Sequence, residues 1–408
     1  MRVPLVLLSM VFGACSAATV EDAGGLPDAG AVRDSGVVTD SGVVTDSGVL
    51  RDSGAESDSG ELPDAGADAG AVEDSGQAAD VGAADSGPAS DAGQAPDGGP
   101  SYNCGAFSVD PGWTIQSGFR AVVIATSAQG LSQPVGLTFA GGGFGGKLYA
   151  VSQGSSSIQA VDPLTGAAVN FASFSPAPML LTGIVWDAAS VFDGSLYVGD
   201  QGSDGDADSK VYRLTTTGTA TVFAAGPGPG LDDIYGMAFA PPGSAYTPGL
   251  YVSGDTDGAL PDWGVVAASG VASFFSEVAG NEGIAMDGSG LFGNQLYNAR
   301  PAGGGYSGDG TIVAMLPDGT RGSTLAQNLG GVHALAFAPG GAYGLDLYAA
   351  RWDTGELIRV TPSGQVSVIA SGLSLTNYDA NILAFSPDGN VLYVADRQAN
   401  RIVCIEPL

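Results

Sequence analysis

Glu282, His333 and Asn381 each stand directly ahead of a short apolar run, at spacings close to those of a repeat. His333 is the single histidine of the 408 residues. A carboxylate, a neutral imidazole and a carboxamide brought together can hold a divalent ion, or Glu282 and His333 can do acid and base work near neutral pH. Their plainer reading is that they satisfy loop backbone and channel water. A second set is Arg300 and Arg351, each three residues past a Leu-Tyr dipeptide. A guanidinium pair suits a carboxylate or phosphate ligand, which it grips with two donors. A third set is Asp204, Asp206 and Asp208, carboxylates at alternate positions with small residues between them. That spacing resembles a Ca²⁺ loop, without the downstream bidentate Glu and with Lys210 intruding; a solvated hairpin tip is the plainer reading.

These residues recur in phase because the chain does. An apolar strand closes on Leu-Tyr at Tyr149, Tyr197, Tyr251, Tyr297, Tyr348 and Tyr393. A unit of roughly 40 to 55 residues made of short strands and Gly turns cannot bury both of its faces alone, so copies must pack in a ring or a stack. Each unit reads as four strands, the first of them Gly-apolar-x-aromatic, as in Gly136-Leu137-Thr138-Phe139, and turns such as Pro317-Asp318-Gly319 separate them. The sixth unit ends after its third strand, and a spare strand over Phe119 to Thr126 precedes the first. If the spare strand completes the last unit, two open sheet edges disappear. The sequence therefore predicts an all-β fold, a six-bladed β-propeller over residues 119–408 closed by an N-terminal clasp strand. On one of its faces Val135, Thr182, Tyr235, Glu282, His333 and Asn381 ring the channel mouth. Ser152, Asp200, Asp255, Arg300, Arg351 and Asp396 form a second ring outside them, with Trp352 beside Arg351. By resemblance to the Leu-Tyr-Val-x-Asp strands of similar propellers, Asp200, Asp255 and Asp396 are expected to cap their own loops.

The last unit carries Gly389-Asn390-Val391-Leu392-Tyr393-Val394-Ala395-Asp396 followed by Asn400-Arg401-Ile402. This resembles the NHL repeat, well in this blade and more loosely in the others. The resemblance covers the propeller and implies its fold, while the repeat is shared by scaffolds, lyases and lactonase-like hydrolases. The gluconolactonase type of six-bladed propeller implies a Ca²⁺ ion that polarises a lactone or ester carbonyl, held by Glu, Asn and Asp at the starts of inner strands. Glu282 and Asn381 match that set in kind; Val135 and His333 depart from it. A quinone-dependent sugar dehydrogenase, also six-bladed, would use His333 as base with Arg300 near the cofactor. No serine or cysteine nucleophile stands in a recognisable setting.

The N-terminal residues speak to location. Val3 to Ala14 is a short apolar run ending in Phe12-Gly13-Ala14-Cys15-Ser16. It falls short of the roughly 20 residues that span a bilayer and resembles a lipoprotein signal peptide, residues 1–15, with Cys15 as the lipidated residue. Residues 16–100 repeat Asp-Ala-Gly and Asp-Ser-Gly largely every six positions, with 18 acidic groups against two basic and no aromatic residue. Such a polymer buries too little apolar surface to offset its chain entropy, so a disordered linker is expected, stretched by its own charge. Residues 101–118 lead into the propeller.

Over residues 101–408, 25 acidic groups face 10 basic ones with no basic cluster, which argues against nucleic acid and against a polybasic membrane contact. In an oxidising compartment Cys104 and Cys404 are free to pair and would lock the ring at its closure; a buried thiol and a mobile one is the other reading. The sequence thus points to an exported protein on the periplasmic or cell-surface side of the envelope, held to the membrane only through its N-terminal lipid. As a monomer it would display the propeller as a binding module for a small anionic or sugar-like ligand or a surface protein, with Tyr235, Arg300, Arg351 and Trp352 as ligand contacts. A divalent-metal-dependent hydrolase remains the alternative, and whether the chain is an enzyme stays open.

Overall fold

The computed structural model describes residues 101–203, 208–254, 263–278, 282–303, 306–376 and 380–408. Cys15, the acidic segment 16–100, Asp204, Asp206 and Asp255 lie outside the described residues. Within them, strands form six antiparallel sheets that follow one another in chain order. The innermost strands, Pro134–Ala140, Leu181–Trp186, Ile234–Ala240, Ile284–Met286, Val332–Phe337 and Leu383–Phe385, touch in sequence, and the sixth touches the first. The molecule is a closed six-bladed β-propeller. No helix among the described residues is long and apolar enough to cross a membrane.

One register repeats in every blade and accounts for the sequence pattern. Across the two inner strands Tyr149 faces Thr138, Tyr197 faces Val185, and Tyr251, Tyr297, Tyr348 and Tyr393 face Ala238, Ala285, Ala336 and Ala384. In blades three to six the residue facing the tyrosine is alanine, and in blades one and two it is a β-branched one. The next residue is the large one, and its ring packs on the tyrosine of the preceding blade. Phe239 lies 5.4 Å from Tyr197, Phe337 5.8 Å from Tyr297, Phe385 5.3 Å from Tyr348 and Phe139 6.2 Å from Tyr393, centroid to centroid. Trp186 and Met286 pack in the same way into the clusters that hold Tyr149 and Tyr251. Alternation along a strand sends Leu and Tyr of each dipeptide to opposite sheet faces, so each blade glues itself to both neighbours.

A second aromatic precedes the tyrosine by five residues in blades one to five: Phe144, Phe192, Tyr246, Phe292 and Tyr343, each edge-on to its tyrosine at 5.3 to 6.0 Å. Blade six has Asp388 at that place. The missing ring is supplied by Tyr102, which lies 4.9 Å edge-on to Phe139 and donates its amide to Asp388 Oδ2 at 3.1 Å. Burial alone would raise the Asp388 carboxyl, but donors from Ser386, Tyr102 and Asn390 outweigh it and hold the group below its ordinary value.

The ring closes as the spare strand required. Phe119–Thr126 pairs antiparallel with Arg401–Pro407, from Phe119 opposite Pro407 to Thr126 opposite Arg401. Residues 101–118 are more than a lead-in. Cys104 is bonded to Cys404 with a Cα separation of 5.8 Å, its amide donates to Glu406 at 2.6 Å, and Val109 bridges to Val123. Thr114–Ile115 then adds a fifth, outermost strand to blade five, with Thr114 opposite Ser371 and Ile115 opposite Ala370. The segment is a strap across the closure, joined to two blades at once.

Candidate functional site

The loops before the innermost strands bring the predicted mouth residues together, and they do so by pressing the blades into contact. Gly283 donates its amide to His333 O at 2.9 Å, and Ser253 Oγ donates to Glu282 O at 2.7 Å. A Cβ on Gly236 would lie 2.2 Å from Glu282 O, and one on Gly283 2.0 Å from His333 O. Glycine stands at these positions because the next blade's carbonyl occupies the space of a side chain.

Glu282 and His333 then meet at the mouth, with His333 Nε2 3.4 Å from Glu282 Oε2 and both side chains 1 % exposed. A carboxylate and an imidazole at this separation can share a proton, which is the arrangement of an acid and base pair. Asn381 belongs to the same layer but reaches elsewhere, its Nδ2 donating to Tyr235 O at 2.8 Å. Tyr235 is buried and its hydroxyl accepts from Gln201 Nε2 at 3.4 Å. Val135 contributes only apolar surface.

Four participants had not been singled out from the sequence. Gln153 donates Nε2 to Leu181 O at 2.8 Å and accepts from Arg397, linking blades six, one and two. Gln201 makes the corresponding link from blade two to Tyr235, and Ser253 the link from blade three to Glu282. Asn298 is fully buried, and neither its amide nitrogen nor its oxygen has a hydrogen-bond partner. A signal existed for some of these: Gln153, Gln201, Trp352 and Arg397 all follow Leu-Tyr by four residues.

The arginines are occupied by carboxylates of their own blades. Arg300 Nη1 lies 3.4 Å from Asp309 Oδ2, which Arg321 also approaches at 3.1 Å. Burial lowers Arg300 from the usual guanidinium value; Asp309 opposes this and Arg321 adds to it. Arg351 binds Glu356 at 2.7 Å and faces Asp353 at 3.8 Å. Trp352 is half-buried, its amide bonded to Gly331 O at 2.9 Å and its pyrrole edge against Gly331.

Asp200 and Asp396 are fully buried loop caps, with Asp200 Oδ1 accepting from Met179 and Leu180 and Asp396 Oδ1 from Ser374. Asp208, the described member of the acidic loop, accepts from the amide and hydroxyl of Ser203. Of the residues predicted to hold Ca²⁺, which takes six to eight oxygens, Glu282 is buried at the mouth, and Asn381 gives its Nδ2 to Tyr235 O, its Oδ1 being the atom through which an amide ligates a cation. Among the described residues no three His, Cys, Asp or Glu side chains gather as metal ligands.

No family profile and no curated protein matches the chain. Solved structures do. A gluconolactonase from Xanthomonas campestris matches at 13 % identity over 76 % of this chain and 99 % of its own, with a TM-score of 0.55. A streptogramin B lyase matches at 14 % identity over 71 % and 98 %, with a TM-score of 0.48. The PQQ-bound aldose sugar dehydrogenase from Streptomyces coelicolor matches at 17 % over 72 % and 99 %, also at 0.48. At such identities the likeness is one of fold alone, that of a six-bladed β-propeller.

Proposed function

We propose that this chain is an exported, lipid-anchored protein whose propeller is a binding module for a small uncharged, hydroxylated ligand of sugar-like character. The observation that carries the reading is the state of the mouth's rim. Arg300 and Arg351 already face carboxylates of their own blades, while Trp352 stays half-exposed beside Arg351. A compensated guanidinium offers hydrogen bonds without demanding an anion, and an indole face gives an apolar platform for a sugar ring. The buried links through Gln153, Gln201, Ser253 and Asn381 keep the platform rigid, which lowers the cost of binding. Cys15 supplies the anchor and residues 16–100 the tether.

Tryptophan fluorescence of the mature chain, titrated with neutral disaccharides and separately with gluconate, tests the ligand class. Saturable quenching by a neutral saccharide, weakened about tenfold or more in Trp352→Ala, is expected. Preference for gluconate, or binding indifferent to Trp352→Ala, overturns it. Labelled palmitate should enter the wild type and not Cys15→Ser.

A hydrolase is the second reading, favoured specifically by the 3.4 Å approach of His333 to Glu282. It requires turnover of δ-gluconolactone or a simple ester that disappears in Glu282→Gln.

A further inference from the structure

The strap reaches the channel mouth through a chain of contacts found in blade six. Trp113 is 8 % exposed, and the guanidinium carbon of Arg401 lies 5.7 Å from the centre of its ring. Arg401 holds Asp396 Oδ2 with Nε at 2.7 Å and Nη2 at 2.6 Å, and the Asp396 side chain is fully buried. The other oxygen, Oδ1, accepts from the amide of Ser374 at 2.9 Å. Trp113 also covers the start of that loop directly: a Cβ on Gly372 would lie 3.7 Å from Trp113 Cδ1. The loop goes on to Thr376, which binds Arg397, and Arg397 in turn binds Gln153 of the mouth.

Blade two shows what the arrangement lacks without the strap. Asp200 caps its loop through Leu180 N at 2.8 Å, but the residue opposite it is Lys210, whose Nζ turns to Asp208 O at 2.9 Å. In blade six the cap is held from behind by a planar cation, and that cation is held by an indole face from outside the blade.

We propose that Trp113 is a positioning residue for the channel mouth: it fixes Arg401, which fixes Asp396, which fixes the loop from Gly372 to Thr376, whose hydroxyl holds Arg397 against Gln153 at the mouth. The strap thereby ties the point where the chain enters the propeller to the geometry of the ligand face. That the mouth is the ligand face rests on the reading above; the coupling itself does not.

Hydrogen exchange on the intact oxidised chain needs no ligand and separates the two. The amide of Ser374, bonded to Asp396, is compared with that of Leu180, bonded to Asp200. Trp113→Leu keeps apolar volume under the strap and removes the aromatic face; Trp113→Phe keeps a face; Trp113→Ala removes both. The Leu and Ala variants should exchange Ser374 about tenfold or more faster with Leu180 unchanged, and the Phe variant should stay near the parent. Should Trp113→Ala not fold, the Leu and Phe variants decide between them. Unchanged exchange at Ser374, or a parallel rise at Ser374 and Leu180, overturns the proposal. Saccharide binding that failed in every variant and in the parent would remove the ligand reading and leave the exchange result standing.

Discussion

The Asn381 side chain in blade six donates a 2.8 Å hydrogen bond to the Tyr235 carbonyl in blade three, which stands opposite in the ring. It passes blade two so closely that a Cβ on Gly183 would lie 2.6 Å from its nitrogen. Asn381 thus ties two opposite blades across the mouth.

Asn381→Ala should cost about 1 to 3 kcal/mol, because the Tyr235 carbonyl loses its donor in a buried layer. Gly183→Ala should cost a similar amount, about 1 to 3 kcal/mol, by driving the amide out of place. Since both act on one contact, the double variant should be destabilised by clearly less than the sum. Urea unfolding of the four proteins measures this, and strict additivity would show that the contact is not shared.

Tyr102 stands in for the aromatic that blade six lacks, so Tyr102→Ala should destabilise by about 3 kcal/mol while Tyr102→Phe stays within about 1 kcal/mol. If the Ala variant unfolds at the parent's midpoint, the strap contributes nothing to the closure.

Reduction should weaken the ring. The Cys104 to Cys404 bond closes a sequence separation of 300 residues, a cross-link worth about 5 to 6 kcal/mol in the chain-entropy account. A dithiol should lower the urea midpoint of the parent and leave that of the paired Cys104→Ser, Cys404→Ser variant where it is. A parent insensitive to the dithiol would count against this.

Alkaline pH should open the propeller. Burial, above all, pushes Tyr149, Tyr251, Tyr297 and Tyr348 up to about 12. In the unfolded chain the same phenols ionise near pH 10. The stability they lend is therefore complete below about pH 10 and falls away as pH rises from there through about 12. Phenolate absorbance and circular dichroism recorded together should show these groups ionising only as the fold is lost. Full titration near pH 10 with an intact spectrum would contradict it.

The sequence by itself determined the number of blades, their strands and the means of closure. Register and burial are local consequences of alternation: Leu-Tyr every blade, an alanine or β-branched residue opposite each tyrosine and a large one after it leave little freedom in how sheets stack. It also brought Glu282 and His333 to adjacent blades at the same place, because phase within a repeat fixes position in a ring. What a side chain does at that position was decided only by tertiary structure. Arg300 and Arg351 face Asp309 and Glu356, and Asn381 reaches Tyr235, pairings that no spacing in the sequence announces. Tyr102 and Trp113 lie outside the repeat, so periodicity says nothing of them. Their roles follow from gaps in blade six, an absent aromatic and an arginine needing a support, which exist only once the ring has closed.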